Sequence, residues 1–295
     1  MSALREKTIA IIGSGERAAD YQGALADFPE LKQQTHAQVP NGHAADLAVI
    51  CTPPAGHVEE ALPLLRAGVD LLIEGTLAST RADAEKITSM AESLGRLVMT
   101  AERFRVFEAA REAKRLLDAD RIGRLVHIEA ARAYKLDAAR ASALAGGGVW
   151  MAYGPDCLDL VDLLAGPVER IRMWGAEHQQ EARVEDEVRV EADHGGGLIS
   201  RISLGWNQQV SAPIARCVGE RGEILIGWAQ AVLLTERGRE VIAPGFDHRT
   251  VCRALLDRFL RRVRRSAPAE DRGIQTLGWI EAAYRSLDTE RWEIP

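Results

Sequence analysis

The segment best suited to chemistry is the glycine-rich run Gly13-Ser14-Gly15-Glu16-Arg17-Ala18, which follows an apolar run at residues 8–12. Where such a run joins a strand to a helix, Gly13 permits a tight turn and Gly15 lets the backbone approach a pyrophosphate. A small residue at Ala18 allows the helix to pack closely on the strand. The pattern predicts a dinucleotide phosphate site, and a glycine turn without a ligand is the alternative. Two charged residues of the run belong to this candidate site, Glu16 and Arg17.

Further candidate residues follow the next apolar runs. Thr52 and Pro53 come directly after the run at 46–51, His57 begins a helical pattern, and Glu74 follows the run at 69–73. Ligands of open parallel sheets bind at the carboxyl ends of the strands, so these side chains are expected to line the same dinucleotide site. For His57, a structural role at the start of the helix is the alternative.

The usual partner of an adenosine ribose is missing from the sequence. In dinucleotide-binding folds an acidic residue about 20 positions beyond the glycines binds the ribose hydroxyls. Residues 32–36 (KQQTH) lie at that distance and contain no carboxylate. Lys32 is a candidate partner for a 2′-phosphate, so the expected cofactor is NAD or NADP.

Strands and helices alternate in the part of the chain that carries these candidates. Short apolar runs at 8–12, 46–51, 69–73 and 96–100 are separated by helical patterns, and residues 31–40 are a candidate second strand. Such strands form a parallel sheet through right-handed crossovers. We therefore predict an α/β fold that begins with a Rossmann-type domain. That domain is expected to be shortened, because few residues separate the glycines from Thr52.

The pattern changes near residue 122, beyond which four segments alternate with period two, at 124–134, 168–174, 184–192 and 197–206. Period-two alternation predicts an antiparallel sheet with one exposed face. The sequence thus predicts a dinucleotide-binding domain at 1–122 and a C-terminal α+β domain with a large, mostly antiparallel open sheet at 123–295. Helices are predicted at about 155–165, 249–264 and 272–286.

Several segments resemble, in chain order, the motifs of the Gfo/Idh/MocA oxidoreductases. Residues 50–78 (ICTPPAGHVEEALPLLRAGVDLLIEGTLA) resemble that family's TPxxxH…EKPLA segment, residues 102–125 its RF passage, and residues 145–166 its GGGxxxDxGxHxxDL stretch. Residues 216–226 and 280–295 also match. The resemblance implies a Rossmann domain followed by an α/β domain. It also implies NAD(P)-dependent hydride transfer, commonly on sugars, polyols or related carbonyl and imine compounds.

The sequence departs from the family at three positions that the resemblance associates with chemistry. Gly75 stands at the lysine of EKP, Ala152 at the later aspartate, and Asp156 at the general acid/base histidine. Proton transfer needs another group of suitable pKa. The candidate catalytic residues are therefore Glu74, Tyr134, Lys135, Tyr153 and Asp156. We expect Glu74 or Asp156 to pair with Lys135. For Tyr134 and Lys135 the alternative is a pair of surface residues, and for Asp156 it is capping of a helix N-terminus.

Composition excludes several other functions. The 295 residues include 37 basic and 43 acidic side chains, and a net charge of −6 disfavours nucleic acid as a partner. The sequence has no apolar stretch of membrane-spanning length. Four widely spaced cysteines and the absence of ligand-spaced clusters predict a cytoplasmic protein without disulfides or a metal site. A small-molecule substrate is the expected partner.

Self-association is also predicted. An exposed, apolar sheet face invites contact between copies. We expect such a face in the second domain and therefore a homodimer or tetramer formed through that sheet. The residues expected on this face are Ile128, Val188, Val190, Ile202 and Leu204.

Three functions are compatible with these patterns. The first is a nicotinamide-dependent oxidoreductase with a non-standard proton donor. The second is a ligand-binding or regulatory protein that keeps the fold without turnover, which the three replaced residues favour. The third is a non-redox enzyme that uses the same cleft.

Overall fold

The computed structural model describes residues 7–38, 45–135, 148–176, 184–206, 213–268 and 271–295. The chain divides into two units: Met1–Arg103 with Asp247–Leu277, and Phe104–Phe246 with Gly278–Pro295. The predicted boundary at 122/123 falls in the stretch that separates the two sheets. Within the described ranges, no helix combines the length and the apolar character needed to cross a membrane.

The first unit contains five parallel strands in the order β2-β1-β3-β4-β5. Their bounds are Thr8–Ile12 (β1), Lys32–His36 (β2), Leu47–Ile50 (β3), Asp70–Ile73 (β4) and Val98–Thr100 (β5). Every residue of β3, β4 and β5 is buried, as expected for a parallel sheet covered on both faces. The predicted strands and the parallel, Rossmann-like sheet are confirmed.

Three helices connect these strands: α1 (Glu16–Leu25), α2 (His57–Arg66) and α3 (Arg81–Leu94). The start of α3 shows how the sequence sets a helix boundary, because the Thr80 side chain accepts a hydrogen bond from the Asp83 backbone N–H. The helix ends at Gly95, which adopts the left-handed conformation that glycine favours. Two further helices follow β5, α4 (Arg103–Val106) and α5 (Glu108–Asp118).

The link between β2 and β3 is short. It runs over residues 37–46, of which 37, 38, 45 and 46 are described, and none of these four is helical. Ten residues are too few for the usual helix and additional strand at this point. The sheet therefore has β2 at its edge, consistent with the predicted shortening.

The second unit contains eight strands in the order β13-β12-β11-β10-β6-β9-β8-β7. Their bounds are Leu125–Ala133 (β6), Arg170–Ala176 (β7), Glu187–Asp193 (β8), Ile199–Gly205 (β9), Ala215–Gly219 (β10), Gly222–Ile226 (β11), Gln230–Thr235 (β12) and Gly238–Pro244 (β13). Strands β6 and β9 pair in parallel, and the other pairs are antiparallel. The predicted mostly antiparallel sheet is confirmed, although the period-two pattern does not predict β10–β13.

The predicted exposed apolar face is wrong. All five side chains expected there are at most 2% exposed: Ile128, Val188, Val190, Ile202 and Leu204. The period-two pattern was correct, but these residues lie on the packed face of the sheet. The opposite face carries charged pairs, including Arg201 Nε at 3.3 Å from Glu191 Oε1 and Arg216 Nη2 at 2.7 Å from Glu223 Oε1. Association through this sheet stays a prediction, but an exposed apolar face no longer supports it.

Three helices complete the described fold: α6 (Val149–Ala165), α7 (His248–Arg264) and α8 (Arg272–Thr289). Although α7 comes late in the chain, it belongs to the first unit and packs against α1. The side chain of Asp247 caps α7 by accepting a hydrogen bond from Thr250 N at 2.7 Å. Glu102 follows β5, and its buried carboxylate forms an ion pair with Arg258 of α7 at 2.9 Å.

Candidate functional site

The carboxyl edge of the first sheet has a point where the strand order reverses. Strand β1 lies between β2 and β3. From β1 the chain continues to β2 on one side, whereas from β3 it continues to β4 and β5 on the other side. The Gly13 N–H donates to the His36 carbonyl at 2.9 Å, and the Cys51 N–H donates to the Ile12 carbonyl at 2.8 Å. In open α/β sheets, ligands bind in the crevice at such a point.

Gly13 and Gly15 differ in backbone conformation and in the space that surrounds a Cβ at each position. Gly13 has a φ of +120°, and a Cβ there would lie 3.1 Å from the carbonyl carbon of Cys51. Gly15 precedes α1 as its N-cap, and a Cβ at Gly15 would meet nothing within 4 Å. No side chain among the described residues caps this helix. The backbone N–H groups of the first turn are therefore available to a phosphate, which fits a dinucleotide.

The charged residues of the motif have different surroundings. Glu16 is exposed in the first turn of α1. Arg17 Nη1 lies 2.6 Å from His248 Nδ1 and 3.2 Å from Asp20 Oδ2. Because a guanidinium only donates hydrogen bonds, His248 Nδ1 accepts in this contact. Arg17 thus links α1 to α7 from within the predicted cofactor motif.

His57 connects the two loops that follow β3 and β4. The side chain is fully buried; Nε2 lies 2.9 Å from the Thr52 carbonyl oxygen, and Nδ1 lies 3.0 Å from the Thr76 carbonyl oxygen. Both ring nitrogens therefore face backbone acceptors, and neither caps α2, whose N-cap is Gly56. The position identifies His57 as a structural clamp on the loop that holds Thr52.

The other predicted residues of that loop lie at its surface. Pro53 is exposed and precedes a short 3-10 turn, Pro54–Gly56. Thr52 is half-buried, and its hydroxyl donates to the Glu60 carboxylate. Thr52 and Pro53 therefore stand at the carboxyl end of β3, where the sequence placed them.

Glu74 belongs to a buried cluster with Tyr21 and Arg103. Tyr21 Oη donates to Glu74 Oε1 at 2.5 Å, and Arg103 forms an ion pair with Glu74. All three side chains are buried. Burial and then the adjacent Glu74 carboxylate raise the pKa of Tyr21 well above its ordinary value. The cluster ties α1, the end of β4 and the start of α4 together.

Gly75, which stands at the position of the family's lysine, has free space around it. Gly75 has a φ of +74°, and a Cβ there would meet nothing within 4 Å. A lysine therefore has room at this point but would adopt a backbone conformation that glycine favours. The next residue, Thr76, has a buried hydroxyl without a hydrogen-bond partner in the described part of the chain.

In the second unit, Asp156 lies beside Arg132. Asp156 is inside α6, and its Oδ2 is 2.9 Å from Nη1 of Arg132, near the end of β6. The Arg132 guanidinium also lies 4.3 Å from the ring centroid of Tyr153 and 5.6 Å from that of Tyr134. At the Tyr153 distance a cation is attracted to the negative ring face. Burial is the largest influence on Arg132 and opposes its charge, yet Asp156 leaves the net pKa raised.

Aromatic side chains surround this ion pair. The rings of Tyr134 and Tyr153 are 5.9 Å apart, and Trp206 and Trp228 make edge contacts with Tyr153 and Tyr134 respectively. Burial raises the pKa of Tyr153, so its hydroxyl keeps its proton and can donate a hydrogen bond. Three of the candidate residues, Tyr134, Tyr153 and Asp156, therefore lie around Arg132.

Two details of the predicted acid/base group are corrected. Asp156 does not cap a helix, because α6 begins at Val149 after the N-cap Gly148 and Asp156 lies in its interior. The predicted pairing of Lys135 with Glu74 or Asp156 is also wrong. Glu74 pairs with Arg103 and Asp156 with Arg132, while Lys135 is exposed beyond the end of β6.

Lys32 does not reach the predicted 2′-phosphate position. In the pairing of β1 with β2, Lys32 is opposite Thr8 at the start of β1, and His36 is opposite Ile12 at its end. Four steps along a strand separate the two edges by about 13 Å. His36 is therefore the β2 residue next to the glycine motif.

Three residues that contact the candidates were missed at the level of sequence: Tyr21, Arg103 and Arg132. Arg132 had a usable signal, because it continues the inward-facing series of Ile128 and Ala130 along β6. An arginine at such a position needs a partner. Tyr21 and Arg103 gave no comparable signal, because their contact with Glu74 depends on the tertiary fold.

In the described ranges, no group of three or more His, Cys, Asp or Glu side chains is placed to hold a metal ion. All four cysteines are free. Burial raises the pKa of the Cys157 thiol to about 12, so this residue is a poor nucleophile.

Two family models match successive parts of the chain. Residues 3–102 match the model described as "Oxidoreductase family, NAD-binding Rossmann fold", and residues 110–225 match the GFO/IDH/MocA C-terminal domain. A curated relative, the uncharacterized oxidoreductase YhhX of Escherichia coli (strain K12), is 29% identical over 92 residues, which are 31% of this chain. The matched region spans about a quarter of that relative's length, 27%.

Solved structures share the fold over nearly the whole chain. An oxidoreductase from Agrobacterium radiobacter, in complex with NAD+, L-tartaric acid and magnesium, has a TM-score of 0.82 at 17% identity and covers 98% of both chains. Levoglucosan dehydrogenase in complex with NADH and levoglucosan has a TM-score of 0.84 at 16% identity, covering 98% of this chain and 100% of its own. GenD2 from gentamicin A biosynthesis, in complex with NAD, has a TM-score of 0.82 at 17% identity, covering 100% and 98%.

Proposed function

Because the chain belongs to the Gfo/Idh/MocA family of oxidoreductases, we propose that it is an NAD(P)-dependent oxidoreductase acting on a small carbonyl, imine or sugar-like substrate. One observation carries the proposal: the Gly13–Gly15 turn lies at the switch point of the sheet, before an uncapped helix N-terminus. The dinucleotide complexes of the similar structures support the same cofactor class.

The cofactor, when bound, supplies hydride transfer. The backbone N–H groups at the start of α1 hold its phosphates, and the open space at Gly15 allows them to approach. Thr52 and Pro53 contribute the loop beside it at the end of β3. His57 holds this loop from behind, because its two ring nitrogens face the backbone carbonyl oxygens of Thr52 and Thr76. The Glu74–Arg103 pair fixes the end of β4.

Proton transfer is assigned to the cluster around Asp156, which stands where the family has its histidine. The Asp156 carboxylate, which forms an ion pair with Arg132, is the proposed acceptor of the proton from a substrate hydroxyl. Tyr153 keeps its proton and donates a hydrogen bond to a substrate oxygen. Tyr134 and the exposed Lys135 complete the proposed set.

Nucleotide binding by the purified protein tests the proposal. Binding of NADH or NADPH is followed by fluorescence and by thermal unfolding. A dinucleotide at 100 times its Kd is expected to stabilise the folded protein by about 2.7 kcal/mol. The variant Gly15→Asp should lose binding, because a carboxylate would face the pyrophosphate. Gly15→Ala should weaken binding less than Gly15→Asp, because it places a methyl group in the same open space but adds no charge.

Two results would refute the proposal: no stabilisation by either dinucleotide at millimolar concentration, or full binding by Gly15→Asp. A second candidate function is a family member that binds ligands without turnover, which the replacements Gly75, Ala152 and Asp156 favour. Dinucleotide binding with no hydride transfer to any carbonyl, imine or polyol in a substrate panel would favour this second candidate.

Activity on ordinary sugars provides a further test of the altered chemistry. The native chain is expected to oxidise glucose or myo-inositol weakly, because Gly75 and Asp156 replace the lysine and histidine. The double variant Gly75→Lys with Asp156→His should raise that activity. Native turnover of either compound at about 1–1000 per second would show that the replaced residues do not limit the reaction.

A further inference from the structure

We infer that the nucleotide site accepts a 2′-phosphate, so that the protein binds NADPH at least as tightly as NADH. The inference rests on the proposed function and concerns how the adenosine ribose is recognised. It follows from the register of β2 and from the charges of the residues that end this strand.

His36 occupies the position from which a side chain contacts the adenosine ribose in dinucleotide-binding folds. It is the last residue of β2, opposite Ile12 in the parallel pairing, and its carbonyl accepts the N–H of Gly13 at 2.9 Å. His36 is therefore joined directly to the first glycine of the phosphate turn. In dinucleotide-binding folds, the acidic residue that binds the ribose 2′-hydroxyl follows the glycines by about 20 residues, as His36 does.

Neither β2 nor the nine residues that follow it in the sequence include an acidic residue. The strand sequence is KQQTH, residues 37–45 are AQVPNGHAA, and the next acid in the chain is Asp46. Asp46 Oδ2 accepts the backbone N–H of Thr8 at 2.8 Å, at the opposite edge of the sheet. Glu16 is in the first turn of α1, where the pyrophosphate common to both cofactors would bind, so it would not distinguish between them.

The groups present can donate hydrogen bonds to an anion. The half-buried His36 ring has Nε2 at 3.3 Å from Gln34 Oε1, so an imidazole and a carboxamide lie together on one face of β2. A repulsive group at the 2′ position would select against NADPH. Neither Gln34 nor His36 is such a group, and the N–H groups of a carboxamide and an imidazole can donate hydrogen bonds to phosphate oxygens.

The test compares Kd values for NADH and NADPH, measured by fluorescence titration of the full chain. Wild type should give a Kd for NADPH no larger than that for NADH. His36→Asp should raise the ratio of the NADPH Kd to the NADH Kd at least about tenfold, because the new carboxylate repels the 2′-phosphate. Lys32→Asp introduces the same carboxylate at the opposite edge of the same strand, so its ratio should stay within about twofold of wild type.

A wild-type Kd for NADPH larger than that for NADH would overturn the inference and leave the proposed function standing. Failure to bind either dinucleotide would overturn both. An unchanged ratio in a folded His36→Asp variant would also overturn the inference. If that variant does not fold, competition on wild type decides: adenosine 2′,5′-bisphosphate should displace NADH at least as well as 5′-AMP, and weaker displacement would contradict the inference.

Discussion

Asp156 and Arg132 form an ion pair in which both side chains are largely withdrawn from water, with Oδ2 and Nη1 2.9 Å apart and side-chain exposures of 24% and 15%. One partner comes from the interior of α6 and the other from near the end of β6. Arg132 also covers the ring of Tyr153 and has a buried Nε atom without a hydrogen-bond partner in the described ranges. The pair therefore couples the proposed proton acceptor to the packing of the second sheet.

Replacing the cation of this pair is expected to destabilise the fold. Arg132→Met keeps much of the side-chain volume but leaves the Asp156 carboxylate unpaired in a poorly solvated position. The free energy of unfolding should fall by about 3 kcal/mol. Urea denaturation followed by circular dichroism provides the measurement.

An exposed arginine gives the matched control. Arg124 pairs with Glu220 at 2.9 Å, with side-chain exposures of 74% and 44%. Arg124→Met should change the free energy of unfolding by about 0.5 kcal/mol or less, because surface ion pairs are weak. Equal losses in the two variants would contradict the proposed importance of the Asp156–Arg132 pair.

The buried cluster of Tyr21, Glu74 and Arg103 gives a prediction for the first unit. Tyr21→Phe removes a hydrogen bond to a charged group and should reduce the free energy of unfolding by about 2 kcal/mol. Glu74→Gln should reduce it by about 3 kcal/mol or more, because it removes the carboxylate that balances a buried guanidinium. The loss in the double variant should be smaller than the sum of the single losses, whereas strict additivity would show that the two contacts are independent.

The fold was predictable because its signals are local. Strands β3 and β4 are short runs of buried residues that are aliphatic except for Asp70, and the alternation in β8 and β9 indicates one packed and one charged face. The sequence alternation does not show which face of the second sheet packs against helices, because that depends on the tertiary fold. The apolar residues of this sheet were therefore expected on the exposed face, whereas they lie on the packed face. The return of α7 to the first unit depends on contacts such as Arg17 with His248, more than two hundred residues apart.

The candidate site was predictable where backbone conformation determines the residue type. Gly13 and Gly15 stand where the backbone conformation or the space for a ligand favours glycine, so both are visible as a sequence motif. Charge pairing was less predictable, because Lys135 and Arg132 are only three residues apart and either could be matched with Asp156 on the sequence alone. The strand alternation along β6 distinguishes them, since Arg132 continues the buried series and Lys135 lies beyond the strand end.

Gly13 should be far less tolerant of substitution than another glycine with nearly the same φ. Gly13→Ala combines an unfavourable backbone conformation at +120° with a Cβ 3.1 Å from the Cys51 backbone. Gly238→Ala has φ +115° but open space around its Cβ. The strain alone is of order 1–3 kcal/mol in each variant, so the loss at Gly13 should exceed the loss at Gly238. Similar unfolding free energies for the two variants would contradict the role assigned to the Cys51 contact.

The stability of the protein should decrease below pH 6.5 because of His194. In the folded state Nδ1 lies 2.7 Å from the Gly166 carbonyl oxygen and Nε2 lies 2.8 Å from Ser200 Oγ. A carbonyl only accepts, so Nδ1 donates and the neutral ring accepts the Ser200 hydroxyl proton at Nε2. Burial is the main cause of the lowered pKa of His194, against weaker opposing effects from carbonyl groups and from Asp162 and Asp193.

A lowered folded-state pKa means that the unfolded chain binds a proton first as the pH falls. The contribution of neutral His194 is therefore fully present above the unfolded pKa of about 6.5, decreases below it, and is lost once the pH passes the folded pKa. Free energies of unfolding at pH 7.5 and pH 5.5 should differ less in His194→Gln than in wild type, because glutamine does not titrate. If the two proteins lose the same stability across this interval, the titration of His194 is not coupled to folding.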